Sequence, residues 1–294
     1  MAKKMRSSPM DRGFGIICYS IVVLFSLIVL LPFWTLIMDA FSSDIGNMGA
    51  RFWIKKFTLD AWHDVFSQKN LGYYYANTVF VTVVGTLFTV TTTYLAAYPL
   101  SKPNMPFNRT ITFLMLITMY FSGGLIPMYI VCKTLGLLNT RWILILFGSF
   151  SVYNIILIRT NFQSGLPEEM REAAAIDGCS NSRFFFQFAL PLSKAIIAVI
   201  SLYVAVGYWN NYYNALVYVT DRDKQPLQLY LKQLLTVSIG NEANGEADET
   251  ALINQLSQIV RYAVIVLSTI PIMCMYPFLQ KYFVQGVMIG SLKG

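Results

Sequence analysis

Four carboxylates stand close together in the run Leu166-Pro167-Glu168-Glu169-Met170-Arg171-Glu172-Ala173-Ala174-Ala175-Ile176-Asp177-Gly178. Pro167 suits the first turn of a helix, Glu168 and Glu169 complement the positive end of its dipole, and Gly178 is the left-handed residue that favours a helix end. The spacing predicts a short helix over 166–177 of about three turns, with Leu166, Met170, Ala173 and Ala174 on one face and Glu168 and Glu172 on another. Two carboxylates four apart repel by a few tenths of a kcal/mol, offset in part by the dipole and by Arg171 three positions after Glu168. The helix is therefore not tuned for its own stability alone. Its chemistry is recognition: acidic groups beside a narrow alanine surface on which a groove of another protein can close. The residues by themselves leave open a second reading, a membrane-surface hairpin with no partner.

Other reactive side chains form no constellation. Cys18, Cys132, Cys179 and Cys274 are scattered, with no C-x-x-C pair and no neighbouring histidine, which speaks against a metal site or a disulfide. The single histidine, His63, reads as a solvated surface residue. No G-x-x-x-x-G-K-[ST] run is present, so no phosphate-cradling loop is recognisable and no catalytic residue is assigned.

The elements around the acidic run belong to a membrane protein. Of the 294 residues, 55% are hydrophobic and 13% charged, about half the charged share of a soluble domain. Crossing a bilayer takes about 20 apolar residues, and six runs reach or approach that length: 14–38, 73–101, 110–132, 142–158, 195–220 and 262–280. The fourth is the shortest, with Arg141 and Arg159 able to reach the headgroups from its ends. The first is longer than a signal-peptide core and lacks an A-x-A site, so it reads as an uncleaved anchor. Placing both termini in the cytoplasm puts 12 Lys+Arg inside and 10 outside, and 5 Asp+Glu inside against 10 outside. The whole +7 net charge is then cytoplasmic, a matter of topology and not of nucleic-acid affinity.

The expected organisation is all-α: a basic tail over 1–13, a first span over 14–38, an extracytoplasmic loop over 39–72, a five-helix core over 73–285 and a cytoplasmic tail over 286–294. Trp53, Phe57 and Trp62 in the first outer loop suit a short interfacial helix. The core carries two long loops, the cytoplasmic 160–194 with the acidic run and the extracytoplasmic 221–261 with a small acidic tip at Asn241, Glu242, Asn244, Gly245 and Glu246. That tip either enters a partner's pocket or is an ordinary solvated loop. Breakers predict kinks at Ser122-Gly123-Gly124 and at Pro271 and Pro277. Tyr208, Trp209, Asn211, Tyr212 and Asn214 form a polar, aromatic stretch that should avoid lipid. Aromatic faces and amides suit sugars, and helix packing accounts for them equally well. Beyond the acidic run, Ser180 or Asn181 can cap a second helix in which Phe184 and Phe188 share a face.

The run Glu172-Ala173-Ala174, with Gly178 four positions on and Leu190-Pro191 downstream, resembles the EAA motif of ABC importer permeases. Phe188 departs from it, standing where that family more often has an aliphatic residue. Gly123-Gly124-Leu125-Ile126-Pro127, Trp209-Asn210-Asn211, Pro226-Leu227-Gln228-Leu229 and the final Gly286-Val287-Met288-Ile289-Gly290-Ser291-Leu292-Lys293-Gly294 resemble its carbohydrate-uptake branch. The resemblance implies a type I importer fold with six spans in a prokaryotic plasma membrane. It implies a homologous second permease, two ATP-binding subunits that hold the ATP and Mg, and an extracytoplasmic solute-binding protein. Glu168, Glu169, Met170, Glu172, Ala173, Ala174, Asp177 and Gly178 would then dock on an ATPase subunit, with Glu172 against a basic residue there, and Gly290, Ser291, Lys293 and Gly294 would rest on the ATPase pair. A secondary transporter or channel, or an intramembrane enzyme, is the competing class; no span has an ionisable residue near its centre, which disfavours the first, and none has the histidine or paired carboxylates that the second needs.

Overall fold

A computed structural model describes residues 9–42, 52–54, 56–68, 70–243, 260–275 and 277. The chain divides into two compact units, Met1–Gln68 with Leu234–Leu267, and Lys69–Gln233 with Ser268–Gly294.

In the first unit α1 (Pro9–Ala40) is apolar on every side, and its side chains from Phe14 to Trp34 are exposed, as for a helix solvated by lipid. Trp34 Nε1 donates to Phe52 O at 3.0 Å. The expected interfacial helix exists as α2 (Asp60–Ser67) and holds one of the three aromatics predicted for it. Trp62 stacks on Phe41, which also stacks on Phe57, whereas Trp53 lies outside the helix and is exposed.

The second unit is built on α3 (Leu71–Leu100), long and apolar enough to cross a membrane unbroken, as is α1. Three further apolar segments are bent pairs of helices, and among the described residues ten α-helices follow α3 as far as residue 243. In chain order these are α4 (Asn108–Tyr120), α5 (Leu125–Thr134), α6 (Arg141–Gly148), α7 (Val152–Gly165), α8 (Glu168–Ile176), α9 (Asn181–Phe184), α10 (Leu190–Leu192), α11 (Lys194–Asn210), α12 (Tyr213–Tyr218) and α13 (Leu227–Ala243). A further apolar helix, α14, covers Val260–Met275, and α13 and α14 are each divided between the two units. The kink expected at Ser122-Gly123-Gly124 is a bend of 111° between α4 and α5, with Gly124 at φ 85°, where a side chain would be strained.

The fourth apolar run differs from the single span expected over 142–158: α6 and α7 meet at 47° across Ser149, Phe150 and Ser151. The reason lies on other helices. Tyr208 Oη of α11 donates to Ile145 O at 2.6 Å, Thr92 Oγ1 of α3 donates to Ser149 O at 2.9 Å, and Thr89 Oγ1 lies 3.2 Å from Gly148 O and 2.9 Å from Tyr208 Oη. Ser151 Oγ accepts from Asn154 N and caps α7. Carbonyls freed by a break are tolerable at membrane depth only when protein re-satisfies them, and here three side chains do so.

α3 packs against α6, α7 and α11 through a polar stripe that composition hides. Thr78, Thr89 and Thr93 are buried on it, and Asn77 Nδ2 donates to Asp223 O and Gln225 O. Gly85 leaves room on this face for the Tyr208 ring, and Gly148 does so on α6: a Cβ at either position would lie within 2.9 Å of ring atoms. At the other end of the unit Tyr94, Tyr98, Phe162, Leu166, Phe184 and Phe185 form a second apolar cluster, with Phe162 edge-on to both tyrosines.

Candidate functional site

The acidic run forms α8, which starts two residues later and ends one residue earlier than the predicted 166–177. Pro167 is the N-cap, Glu168 and Glu169 occupy the first turn, and Gly178 takes φ 73° just past the end. Cys179 N donates to Ala174 O at 2.8 Å and Gly178 N to Ala175 O at 3.0 Å, so the last carbonyls are satisfied by the turn. Ser180 is the cap of the next helix, with Oγ accepting from Arg183 N. The Phe184 and Phe188 rings stack at 5.2 Å as their spacing predicted. Between α9 and α10 the chain makes a π turn over Phe185–Ala189, which buries Phe185 as well as Phe184.

The two faces of α8 differ from the sequence reading in one residue. Leu166 is buried, and Met170 and Ala174 pack half-buried on the cluster of Phe162 and Tyr98, but Ala173 is exposed. The helix turns about 100° per residue, so 166, 170 and 174 stay in line while 173 falls with 169, 172 and 176. The outward face is therefore Glu169, Glu172, Ala173 and Ile176, flanked by the exposed Glu168, Asp177 and Gly178. Ile176 is 87% exposed, an apolar side chain at the tip with nothing over it.

The inward face is bolted to α3. Arg171, its side chain 10% exposed, lies 3.4 Å from Glu168 Oε2 and donates through Nη2 to Ser101 Oγ at 3.2 Å. Lys102 Nζ donates to Asn181 Oδ1 and sits 4.8 Å from the centre of the Tyr98 ring, and Tyr98 Oη donates to Asn181 O. Burial and the Arg171 charge hold the Lys102 ammonium below its ordinary pKa, and Glu168 opposes this only in part. The end of α3 thus grips α8 at its middle and the chain just beyond it. Neither Ser101 nor Lys102 was singled out in the sequence; the signal was their place directly after an apolar span, facing a loop about 70 residues on.

Of the aromatic stretch, Tyr208 and Trp209 are buried. Tyr208 is held between Gly85 and Gly148, and Trp209 Nε1 donates to Ser268 O at 3.0 Å. Asn211 and Asn214 are half-buried, with Asn214 N donating to Asn211 Oδ1, while Tyr212 is exposed. The side chains of Asn241 and Glu242, and all of Asn244, Gly245, Glu246, Gly290, Ser291, Lys293 and Gly294, lie outside the described residues.

The chain is 42% identical to the protein LplC of Bacillus subtilis over 91% of its own length and 90% of that protein. It is 38% identical to the polygalacturonan/rhamnogalacturonan transport system permease YtcP of the same organism, over 97% of this chain and 99% of the relative. A crystal structure of a bacterial ABC transporter that imports the acidic polysaccharide alginate contains a chain of the same fold, with a TM-score of 0.82 and 32% identity over 95% of this chain and 99% of that one. A second alginate transporter structure, in complex with an alginate pentasaccharide-bound periplasmic protein, has a chain sharing the fold at a TM-score of 0.61 and 10% identity, covering 92% of this chain and 94% of that one. Residues 90–289 match the family described as binding-protein-dependent transport system inner membrane component. The protein belongs to that family: it is an all-α permease subunit of a binding-protein-dependent ABC importer, with the type I importer fold.

Proposed function

We propose that the chain carries oligosaccharides or polysaccharide fragments across a prokaryotic plasma membrane, both termini in the cytoplasm, together with a homologous second permease, two ATP-binding subunits and an extracytoplasmic solute-binding protein. One observation carries the coupling part of this reading. α8 presents Glu169, Glu172, Ala173 and Ile176 outward while Arg171 and Leu166 fix its other face to the membrane helices. A helix anchored on one side and uncovered on the other suits a groove on the ATPase subunit, with Ile176 as the apolar anchor and Glu172 against a basic residue there. Closure of the ATPase pair then moves α8, and the bonds to Ser101 and Asn181 pass that motion to α3. ATP and Mg belong to the ATPase subunits; this chain needs no cofactor of its own.

The sugar is supported by the relatives, among them a polygalacturonan/rhamnogalacturonan permease and the alginate transporter. Asn211, Tyr212 and Asn214, at the break between α11 and α12, are better placed to meet a substrate than the buried Tyr208 and Trp209. The docking tip at 241–246 and the tail at 290–294 keep the roles implied by the resemblance, against the binding protein and the ATPase pair. Reconstituted vesicles test the proposal: Glu172→Lys should abolish ATP-driven uptake of labelled oligosaccharide, and uptake at the wild-type rate would refute the role given to α8.

A further inference from the structure

A cavity of about 670 Å³ opens between the first turn of α4 and the C-terminal half of α7, at the same end of the unit as α8. Its polar wall carries Arg109, Arg159 and Gln163, and among the described residues no carboxylate lines it. Arg159 Nη1 donates to Thr112 Oγ1 at 3.0 Å, which pins the guanidinium against α4. Its Nε is buried and has no hydrogen-bond acceptor among the described residues. The cavity is faced instead by the two guanidinium groups, and two such groups without a carboxylate beside them call for an anion.

The opposite wall is apolar. Phe113 and Leu116 line it, and α4 continues away from the arginines with Phe113, Leu114 and Ile117 exposed and no residue buried. The pinned Arg159 of α7 and the exposed Arg109 in the first turn of α4 put two positive charges beside an apolar, uncovered membrane helix, at headgroup level, with a path for hydrocarbon running on from them. A free anion uses only the charged half of this site. A phosphate that carries acyl chains uses both halves.

We propose that the cavity walled by Arg109, Arg159 and Phe113 binds the phosphate headgroup of an anionic membrane lipid such as phosphatidylglycerol. The site is separate from the outward face of α8, and its test does not depend on coupling. The assembled importer, purified in mild detergent, is equilibrated with phosphatidylglycerol or phosphatidylcholine, and retained lipid is read by native mass spectrometry. The wild type should retain phosphatidylglycerol in preference to phosphatidylcholine, and an excess of inorganic phosphate should not displace it. Each of Arg109→Gln and Arg159→Gln should reduce that retention about five-fold and leave phosphatidylcholine unchanged. Arg109 is exposed, so its variant keeps the fold and serves as the second, independent test. Equal retention of the two lipids, or no loss in Arg109→Gln, overturns the proposal. Displacement by inorganic phosphate assigns the site to a free anion, and loss of the second permease from the Arg109→Gln complex assigns it to a protein face; either result overturns the lipid.

Discussion

Arg171 Nη2 of α8 donates to Ser101 Oγ, the residue that caps α3, across 3.2 Å and 70 positions of sequence. The contact joins the helix that faces outward to the helix around which the membrane core is packed. A charge-assisted bond of this kind is worth about 1.5–3 kcal/mol, more than the few tenths that the Glu168–Arg171 pair contributes on an exposed helix surface. Arg171 is therefore a positioning residue whose main partner is α3. Arg171→Gln should lower uptake by about ten-fold or more, in proportion to a loss of that size, while the subunits still co-purify. The sensitive readout is the ratio of sugar imported to ATP hydrolysed, which should fall; a variant with unchanged ratio and rate would show that the bond carries no force.

Tyr208 tests the packing of the broken span. Tyr208→Phe removes the donor to Ile145 O, leaving that buried carbonyl without its side-chain partner at about 1–3 kcal/mol, while Thr89 keeps Gly148 O as its acceptor. The thermal unfolding midpoint of the purified complex should drop by several degrees. Gly148→Ala should be worse, because its Cβ would lie 2.6 Å from the Tyr208 ring.

Gly178 at φ 73° sets the exit of α8. Gly178→Ala should cost about 1 kcal/mol and reduce uptake, whereas Gly178→Asn, which tolerates the left-handed region, should retain most of it. Equal behaviour of the two variants in a vesicle uptake assay would remove the conformational explanation.

Lys102 gives a pH signature. Its pKa in the fold lies below the ordinary lysine value of 10.5, chiefly through burial and then through Arg171. Between the lowered value and 10.5 the unfolded chain binds more protons than the fold, so this group makes the fold more stable as pH rises through that window. Wild type should gain thermal stability relative to Lys102→Met as pH is raised across it, and parallel melting curves would contradict the sign.

The bounds of α8 were legible because Pro167 and Gly178 punctuate it locally. The exposure of Ala173 was missed by one step of a helical wheel, since a run of three alanines marks no face until Leu166 and Met170 find Phe162. The break at 149–151 was not legible, because the groups that stabilise it, Thr89, Thr92 and Tyr208, lie about 60 residues away on α3 and α11. The same distance hid the grip of Ser101 and Lys102. Buried threonines along α3 read in sequence as mildly polar residues of a span and became meaningful only with their partners in place.

On the proposed function, the outward face of α8 meets the ATPase subunit. In a chain whose four native cysteines are replaced by serine, Ile176→Cys can be cross-linked within the assembled importer to single cysteines along the groove of the ATPase subunit. A cross-link at position 176 whose yield changes with ATP is expected, with no labelling of that cysteine by an impermeant thiol reagent added from outside the cell. Labelling from outside, or the absence of any cross-link to the ATPase subunit, would contradict it.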